Sequence, residues 1–262
     1  MQTLQKPDMS ATQDPGNIND TYFDGYYKEI WRAVIPDELT GKEIDFMIQY
    51  FDLKPGDSVL DIMCGYGRHS IGLSEKGMVV TAVDNLEVYI DEINQSAKNK
   101  ALPITVVLAD VAKYESNDFF NLAICMGNSL NFFNYEDAQN IISNISSSLK
   151  PGGHFFINSW SIAEIAIRSF KEKGGSEING LKFSAECKFL FHPSRIETVS
   201  TIVAPDGTTE TKTAIDYIFS ITEMETMLNN AGLVLKEIYS IPGKKKFALG
   251  DPRAYIIAEK IA

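Results

Sequence analysis

Short apolar runs alternate with amphipathic stretches along most of the chain. The runs fall at about 58–63, 79–83, 104–109, 122–126 and 154–159. Between them, about 67–76, 86–99 and 135–149, apolar residues recur at helical spacing. Gly77 ends the first of these segments, as glycine does beyond a helix C-terminus. Asn134, with Asp137 three residues on, opens the last one as a cap. Buried strands alternating with helices predict βαβ units and a parallel sheet.

After Trp160 the pattern changes. A helix at about 161–172 leads into Gly174 and Gly175. Three longer stretches rich in Thr, Val, Ile and Phe follow, at about 181–192, 196–204 and 209–219. Pro205-Asp206-Gly207 joins the last two as a turn. This predicts a small antiparallel insert, placed at 161–214. Ser220-Ile-Thr-Glu223 then reads as a capping box opening a helix to about Asn230, stopped at Ala231-Gly232. Two strands, about 233–241 and 253–260, close the chain.

Ahead of the first strand, about 24–34 and 38–52 read as helices separated by Pro36, with Ile44, Phe46, Met47, Tyr50 and Phe51 roughly on one face. Residues 1–20 carry little to bury and are expected to form a disordered tail. The reading therefore divides the chain into a tail (1–20), a helical lid (21–54), an α/β core (55–160 and 215–262) and the β insert. The fold class expected is α/β. It is a mainly parallel sheet closed by two further strands, with a small antiparallel β insert.

The 262 residues suffice for one ample α/β core. Lys and Arg number 24 against 35 Asp and Glu, a net charge of −11. That acidity argues against a nucleic-acid partner, which needs a basic face. Lys244-Lys245-Lys246 is read as a solvated loop. The three cysteines, Cys64, Cys125 and Cys187, have no Cys-x-x-Cys spacing, so neither a disulfide scaffold nor a metal site is expected. No apolar run is long enough to span a bilayer, and a cytoplasmic protein with no membrane partner is expected.

The chemistry concentrates at Val59 to Ser70. An apolar run ends at Asp61, and Gly65 and Gly67 follow before a helix. Glycines there let main-chain N–H groups approach a ligand. Alone, this turn fits many nucleotide-like ligands. What sharpens it is that Asp61, Asp84 and Asp110 each end a successive predicted strand. In an open parallel sheet those ends converge on one crevice. Three carboxylates suit a ligand with a ribose diol, an exocyclic amine and a positive charge, and suit a pyrophosphate poorly.

The residues Val59-Leu60-Asp61-x-x-Cys64-Gly65-x-Gly67-Arg68-His69, Val80 to Asp84, Ala109-Asp110, Leu149-Lys-Pro-Gly-Gly153 and Ala231-Gly232 before two strands resemble the class I, seven-strand S-adenosylmethionine-dependent methyltransferases. The resemblance covers about 40–262. It implies a Rossmann-like, doubly wound core with a C-terminal antiparallel hairpin, S-adenosyl-L-methionine as cofactor and in-line methyl transfer to an acceptor, most readily a small molecule bearing an amine or hydroxyl. It places Asp84 on the ribose hydroxyls and Asp110 with Val111 on the adenine. Gly65 and Gly67 fall on the methionine part, and Asp61 on the loop or the ligand's ammonium. Met63, Cys64, Arg68, Asn85, Met126 and Gly127 complete the expected cofactor shell, with Tyr22 and Tyr27 as a lid. Met63 stands where the family usually has its first glycine.

No catalytic base is evident. Asn128, His192 and Tyr27 are the candidates for contact with the acceptor. His69 is read as packing or capping, and His154 lies at the wrong end of the sheet. The competing readings are an NAD(P)-dependent oxidoreductase, a non-catalytic binding module, and a protein or RNA methyltransferase of the same fold. The Tyr50-x-x-x-Lys54 pair precedes the first strand, which fits a dehydrogenase poorly.

Overall fold

The computed structural model describes residues 16–261. Two helices, α1 (Gly25–Val34) and α2 (Asp37–Tyr50), precede an alternating core. The core runs β1 (Ser58–Ile62), α3 (Arg68–Glu75), β2 (Val79–Asp84), α4 (Glu87–Lys100), β3 (Ile104–Leu108), β4 (Phe120–Cys125), α5 (Tyr135–Ser147) and β5 (Leu149–Ser159). A short helix, α6 (Ala163–Ser169), leads to β6 (Lys173–Ile178), β7 (Leu181–Phe191), β8 (Ser194–Val203) and β9 (Thr209–Tyr217). The chain closes with α7 (Ile221–Asn230), β10 (Leu233–Ile241), β11 (Lys245–Lys246) and β12 (Ala254–Lys260).

The main sheet has the order β11-β10-β12-β5-β4-β1-β2-β3. Strands β1 to β5 pair in parallel, and β12 is antiparallel to both β5 and β10. This is the mainly parallel, doubly wound sheet with a closing hairpin. Its strands read as continuous apolar runs because both faces are covered. Val59, Leu122 and Ile124 join Met47 and Leu73 on one side. Leu60, Ala123 and Cys125 join Ile141 and Met224 on the other. Strand order reverses between β1 and β4, so their carboxyl ends flank a crevice.

The second sheet, β6-β7-β8-β9, is antiparallel throughout. A bridge between Ile162 and Phe219 ties its entry to its exit. One end of this sheet packs on α1, through Ile30 against Leu181, Ile202 and Ala204.

The expected elements recur with small shifts, and three departures have physical causes. Gly174 and Gly175 lie within β6, a strand not expected there. Five of its six residues are exposed, so no apolar alternation marked it. Lys245 and Lys246 form a short edge strand, with Lys246 held by Glu237 and stacked on Tyr239. β5 begins at Leu149, before the Pro-Gly-Gly stretch, with a register shift opposite β4. A Cβ on Gly153 would sit 2.9 Å from the Lys150 carbonyl and 3.1 Å from that of Phe120, so this bulge requires glycine. The disordered tail expected over 1–20 falls outside the described residues up to 15. From Asn17 on, the chain is hydrogen-bonded to the core, which corrects that expectation for 17–20.

Candidate active site

The turn between β1 and α3 holds three residues at positive φ: Met63 (51°), Gly65 (56°) and Gly67 (75°). The two glycines serve different ends. A Cβ on Gly65 would meet nothing within 4 Å, so its backbone faces open space. A Cβ on Gly67 would lie 2.6 Å from Cγ1 of Ile93 on α4. Gly67 is buried and does not line the cleft, which corrects its expected place there; it lets two helices pack. Met63 holds a left-handed backbone that favours glycine, which explains why the family usually has glycine at this position. Its side chain packs on the core and lines the cleft.

The turn lies over a cleft of about 930 Å³, counting its open mouth. Asp61, Asp84 and Asp110 all line it. Asp84 is almost buried, and its two oxygens clasp the backbone. Oδ2 accepts from Gly65 N at 2.8 Å and Oδ1 from Leu86 N at 3.0 Å. Burial raises its pKa, against the pull of these N–H groups. Asp61 is buried and accepts from Ser70 Oγ at 2.5 Å. Burial pushes its carboxyl up to about 7; Ser70 and Arg68 oppose the shift and Asp84 adds to it. Asp110 is half-exposed, accepts from Ala112 N at 3.0 Å and pairs with Lys113 at 3.3 Å. Beside it Val111 lines the cleft, its N–H making no hydrogen bond among the described residues.

Met126 and Gly127, after β4, line the opposite wall. Gly127 has φ of 90°, and a Cβ there would lie 3.3 Å from the Trp31 ring. Cys64 also lines the cleft, and burial raises its thiol well above the usual range, so it is no nucleophile. Asn85 donates to Asp20 Oδ1 at 2.8 Å.

Four expectations need correction. Tyr22 and Tyr27 do not line the cleft. Tyr22 bonds Ser200 Oγ at 3.0 Å, and the two tyrosine rings lie 4.4 Å apart under the insert sheet. Burial raises the Tyr27 hydroxyl far above its ordinary pKa. Phe23 and Trp31, from the same aromatic cluster, face the cleft instead. Asn128 is buried behind the wall, spending its oxygen on Ser159 Oγ, Trp160 N and Ser161 N and its amide on Ser161 Oγ and Asp216. His192 is exposed at the turn between β7 and β8, away from the cleft.

The structure also brings in residues that the sequence pattern did not mark. Asn17, Asn19 and Asp20 line the cleft ahead of α1. Asn17 and Asn19 donate to the Phe132 carbonyl at 2.9 and 3.0 Å, and Asn19 also pairs with both backbone groups of Ile215. Tyr66 and Tyr89 also line the cleft. At the other end, buried Glu43 of α2 accepts from Arg68 Nη1 at 2.6 Å and Tyr255 Oη at 2.7 Å, and contacts His69 Nε2 at 2.9 Å. These partners outweigh desolvation and hold Glu43 at about 2, while burial lowers His69 to about 4. His69 is thus a neutral packing residue on the cleft wall. A signal for Glu43 existed, an acid on the apolar face of α2; Asn19 and Asp20 sat in turn-like composition and gave none.

A family model described as "Methyltransferase domain" matches residues 59–153. A glycine/sarcosine N-methyltransferase of Halorhodospira halochloris is 27% identical over 164 residues, covering 58% of this chain and 60% of that protein. A ubiquinone biosynthesis O-methyltransferase of Coxiella burnetii is 31% identical over 116 residues, covering 44% and 48%. The chain thus matches about half to three-fifths of the length of these curated relatives. Among solved structures, an S-adenosylmethionine-dependent methyltransferase of Clostridium acetobutylicum superposes with a TM-score of 0.79 at 19% identity, covering 90% of this chain and 97% of that one. The fold is like that of this methyltransferase, and residues 59–153 match the methyltransferase-domain model. Among the described residues, no helix is long and apolar enough to cross a membrane, and no cluster of three or more His, Cys, Asp or Glu could hold a metal ion.

Proposed function

We propose that the chain is an S-adenosylmethionine-dependent methyltransferase acting on a small molecule at an amine nitrogen or a hydroxyl. The observation that carries this is the convergence of Asp61, Asp84 and Asp110 on one cleft, beneath the open backbone of Gly65. The residues present fit the cofactor. Each Asp84 oxygen already takes one backbone N–H and keeps a lone pair for a ribose hydroxyl. Asp110 and the Val111 N–H, unpaired among the described residues, suit the amino group and ring nitrogen of adenine. Asp61 suits an ammonium. Among the described residues Arg68 spends only Nη1, on Thr40 and Glu43, leaving Nη2 and Nε for a carboxylate. Bound there, the cofactor supplies an electrophilic methyl group on a sulfonium.

The chain's own part is to bind, orient and exclude water. Phe23, Trp31 and Phe132 form an apolar part of the lining, to which Asn17, Asn19 and Asp20 add polar groups. With Asn128 committed to structure and His192 remote, no side chain among the expected candidates is placed as a base. That favours an acceptor that needs no deprotonation by the protein. A dinucleotide-dependent oxidoreductase fits less well, since three cleft acids oppose a pyrophosphate. The test is transfer of tritium from methyl-labelled S-adenosylmethionine to a panel of small amines and phenols. Label uptake is expected with an amine. Uptake by no small acceptor, with labelling of protein or RNA instead, would overturn the small-molecule reading.

A further inference from the structure

Strand β9 turns Lys212, Ala214 and Asp216 toward the body of the molecule. Lys212 is neutralised by Asp24 and Glu210 under α1, and Ala214 is buried. Asp216 differs. Its Oδ1 accepts from Asn128 Nδ2 at 2.8 Å and Ser161 Oγ at 3.1 Å. Its Oδ2 makes no hydrogen bond and no ion pair among the described residues, yet is not sealed from solvent. A recessed carboxylate is normally paired. This one is held rigidly by Asn128, itself fixed by three bonds at 2.9–3.0 Å, and offers one free oxygen.

Its surroundings suit an organic cation. Asn128 directly follows Gly127 on the cleft wall. Trp31 rests on Gly127 and lies 5.8 Å from Trp160, the neighbour of Ser161. In the register, Asp216 stands opposite Ile196, and Ile196 opposite Phe189, both only partly covered. At the other end of the same sheet, Ile202 and Leu181 are buried under Ile30. The insert is therefore closed at one end and half-open at the other, where the acid sits beside aromatic and apolar side chains. Anionic acceptors would be repelled there.

Resting on the methyltransferase reading, we infer that the acceptor is an amine carried on an aromatic or apolar frame, and that Asp216 Oδ2 binds its nitrogen. Asp216 sits behind the cleft wall with Asn128 and selects the amine as its ammonium, which loses its proton to solvent before the freed lone pair takes the methyl group. Burial alone pushes this carboxyl up to about 6, so a cationic partner would stabilise its ionised form.

The test uses the chain's own reporters, since Trp31 and Trp160 are its two tryptophans. S-adenosylhomocysteine is first titrated into the full chain by calorimetry. The saturated complex is then titrated at pH 7.5 with benzylamine, benzyl alcohol and benzoate, reading tryptophan fluorescence. Benzylamine is expected to give a saturable change with a Kd at least about tenfold below that of benzyl alcohol, and benzoate none. Asp216→Asn, which keeps the shape and the Ser161 bond, is expected to weaken benzylamine at least about tenfold and leave S-adenosylhomocysteine binding unchanged. The inference is overturned by equal binding of amine and alcohol, by no saturable amine signal, or by unaltered amine affinity in the variant. Failure of S-adenosylhomocysteine to bind would instead overturn the methyltransferase reading.

Discussion

The backbone N–H of Gly65 donates to Asp84 Oδ2 at 2.8 Å, so the glycine turn after β1 and the acid ending β2 are clasped to each other. One carboxylate thus shapes the turn and lines the cleft. Asp84→Ala removes two charge-assisted bonds, worth about 1.5–3 kcal/mol each. Affinity for S-adenosylhomocysteine is expected to fall at least about 100-fold by calorimetry. An unchanged Kd would place the ligand in another crevice.

A Cβ would meet open space at Gly65 and the Ile93 side chain at Gly67. Both have positive φ, so alanine costs about 1–2 kcal/mol of backbone strain at either. Gly67→Ala also forces a methyl against Ile93, adding about 1–3 kcal/mol of overpacking. Urea unfolding should show Gly67→Ala as the less stable of the two. Gly65→Ala should stay folded and lose cofactor affinity. Equal losses of stability would contradict this division.

Asp61 sets a pH signature. Its folded pKa of about 7 lies above the ordinary value of 3.8. The native state then holds a proton that the unfolded chain has released. Its stabilising contribution is complete below about pH 4 and is lost as pH rises through 7. Asp61→Asn should flatten the decline in urea midpoint between pH 5 and 8 relative to wild type. A parallel decline in both proteins would show that Asp61 is ionised throughout.

Glu43 ties α2, α3 and β12 together through Arg68, His69 and Tyr255. Glu43→Gln leaves the Arg68 guanidinium without its counter-ion, which costs about 3–5 kcal/mol in buried pairs. Tyr255→Phe is expected to cost about 1 kcal/mol. In the double variant the two losses should not add, since the residues touch. Additivity within error would mean the contact carries no coupling.

Legibility in the sequence followed burial. β1, β2 and β4 feed both faces of the sheet, so their apolar runs stood out, and the acids at the ends of β1, β2 and β3 could be aligned by counting. β6 is an exposed edge strand carrying two glycines, so its pairing depends on β7 and leaves no pattern of its own. The cleft wall built by Asn17, Asn19 and Asp20 is made by contacts to Phe132, Ile215 and Asn85, more than 60 residues away. Tyr22 and Tyr27 were the opposite case. Their aromatic cluster was visible, but which rings face the cleft is fixed by how α1 sits on the insert, and that left Phe23 and Trp31 on the cleft. Asp216 was hidden in a β-rich stretch, its meaning set by Asn128 and Ser161.

The most direct test of the central claim is calorimetric titration of the full chain with S-adenosylhomocysteine and, separately, with NADH and NADPH. One molecule of S-adenosylhomocysteine per chain should bind with a Kd of about 100 μM or tighter, roughly −5.5 kcal/mol or better, and the dinucleotides should give no heat of binding. Binding of a dinucleotide with no binding of S-adenosylhomocysteine would contradict the account.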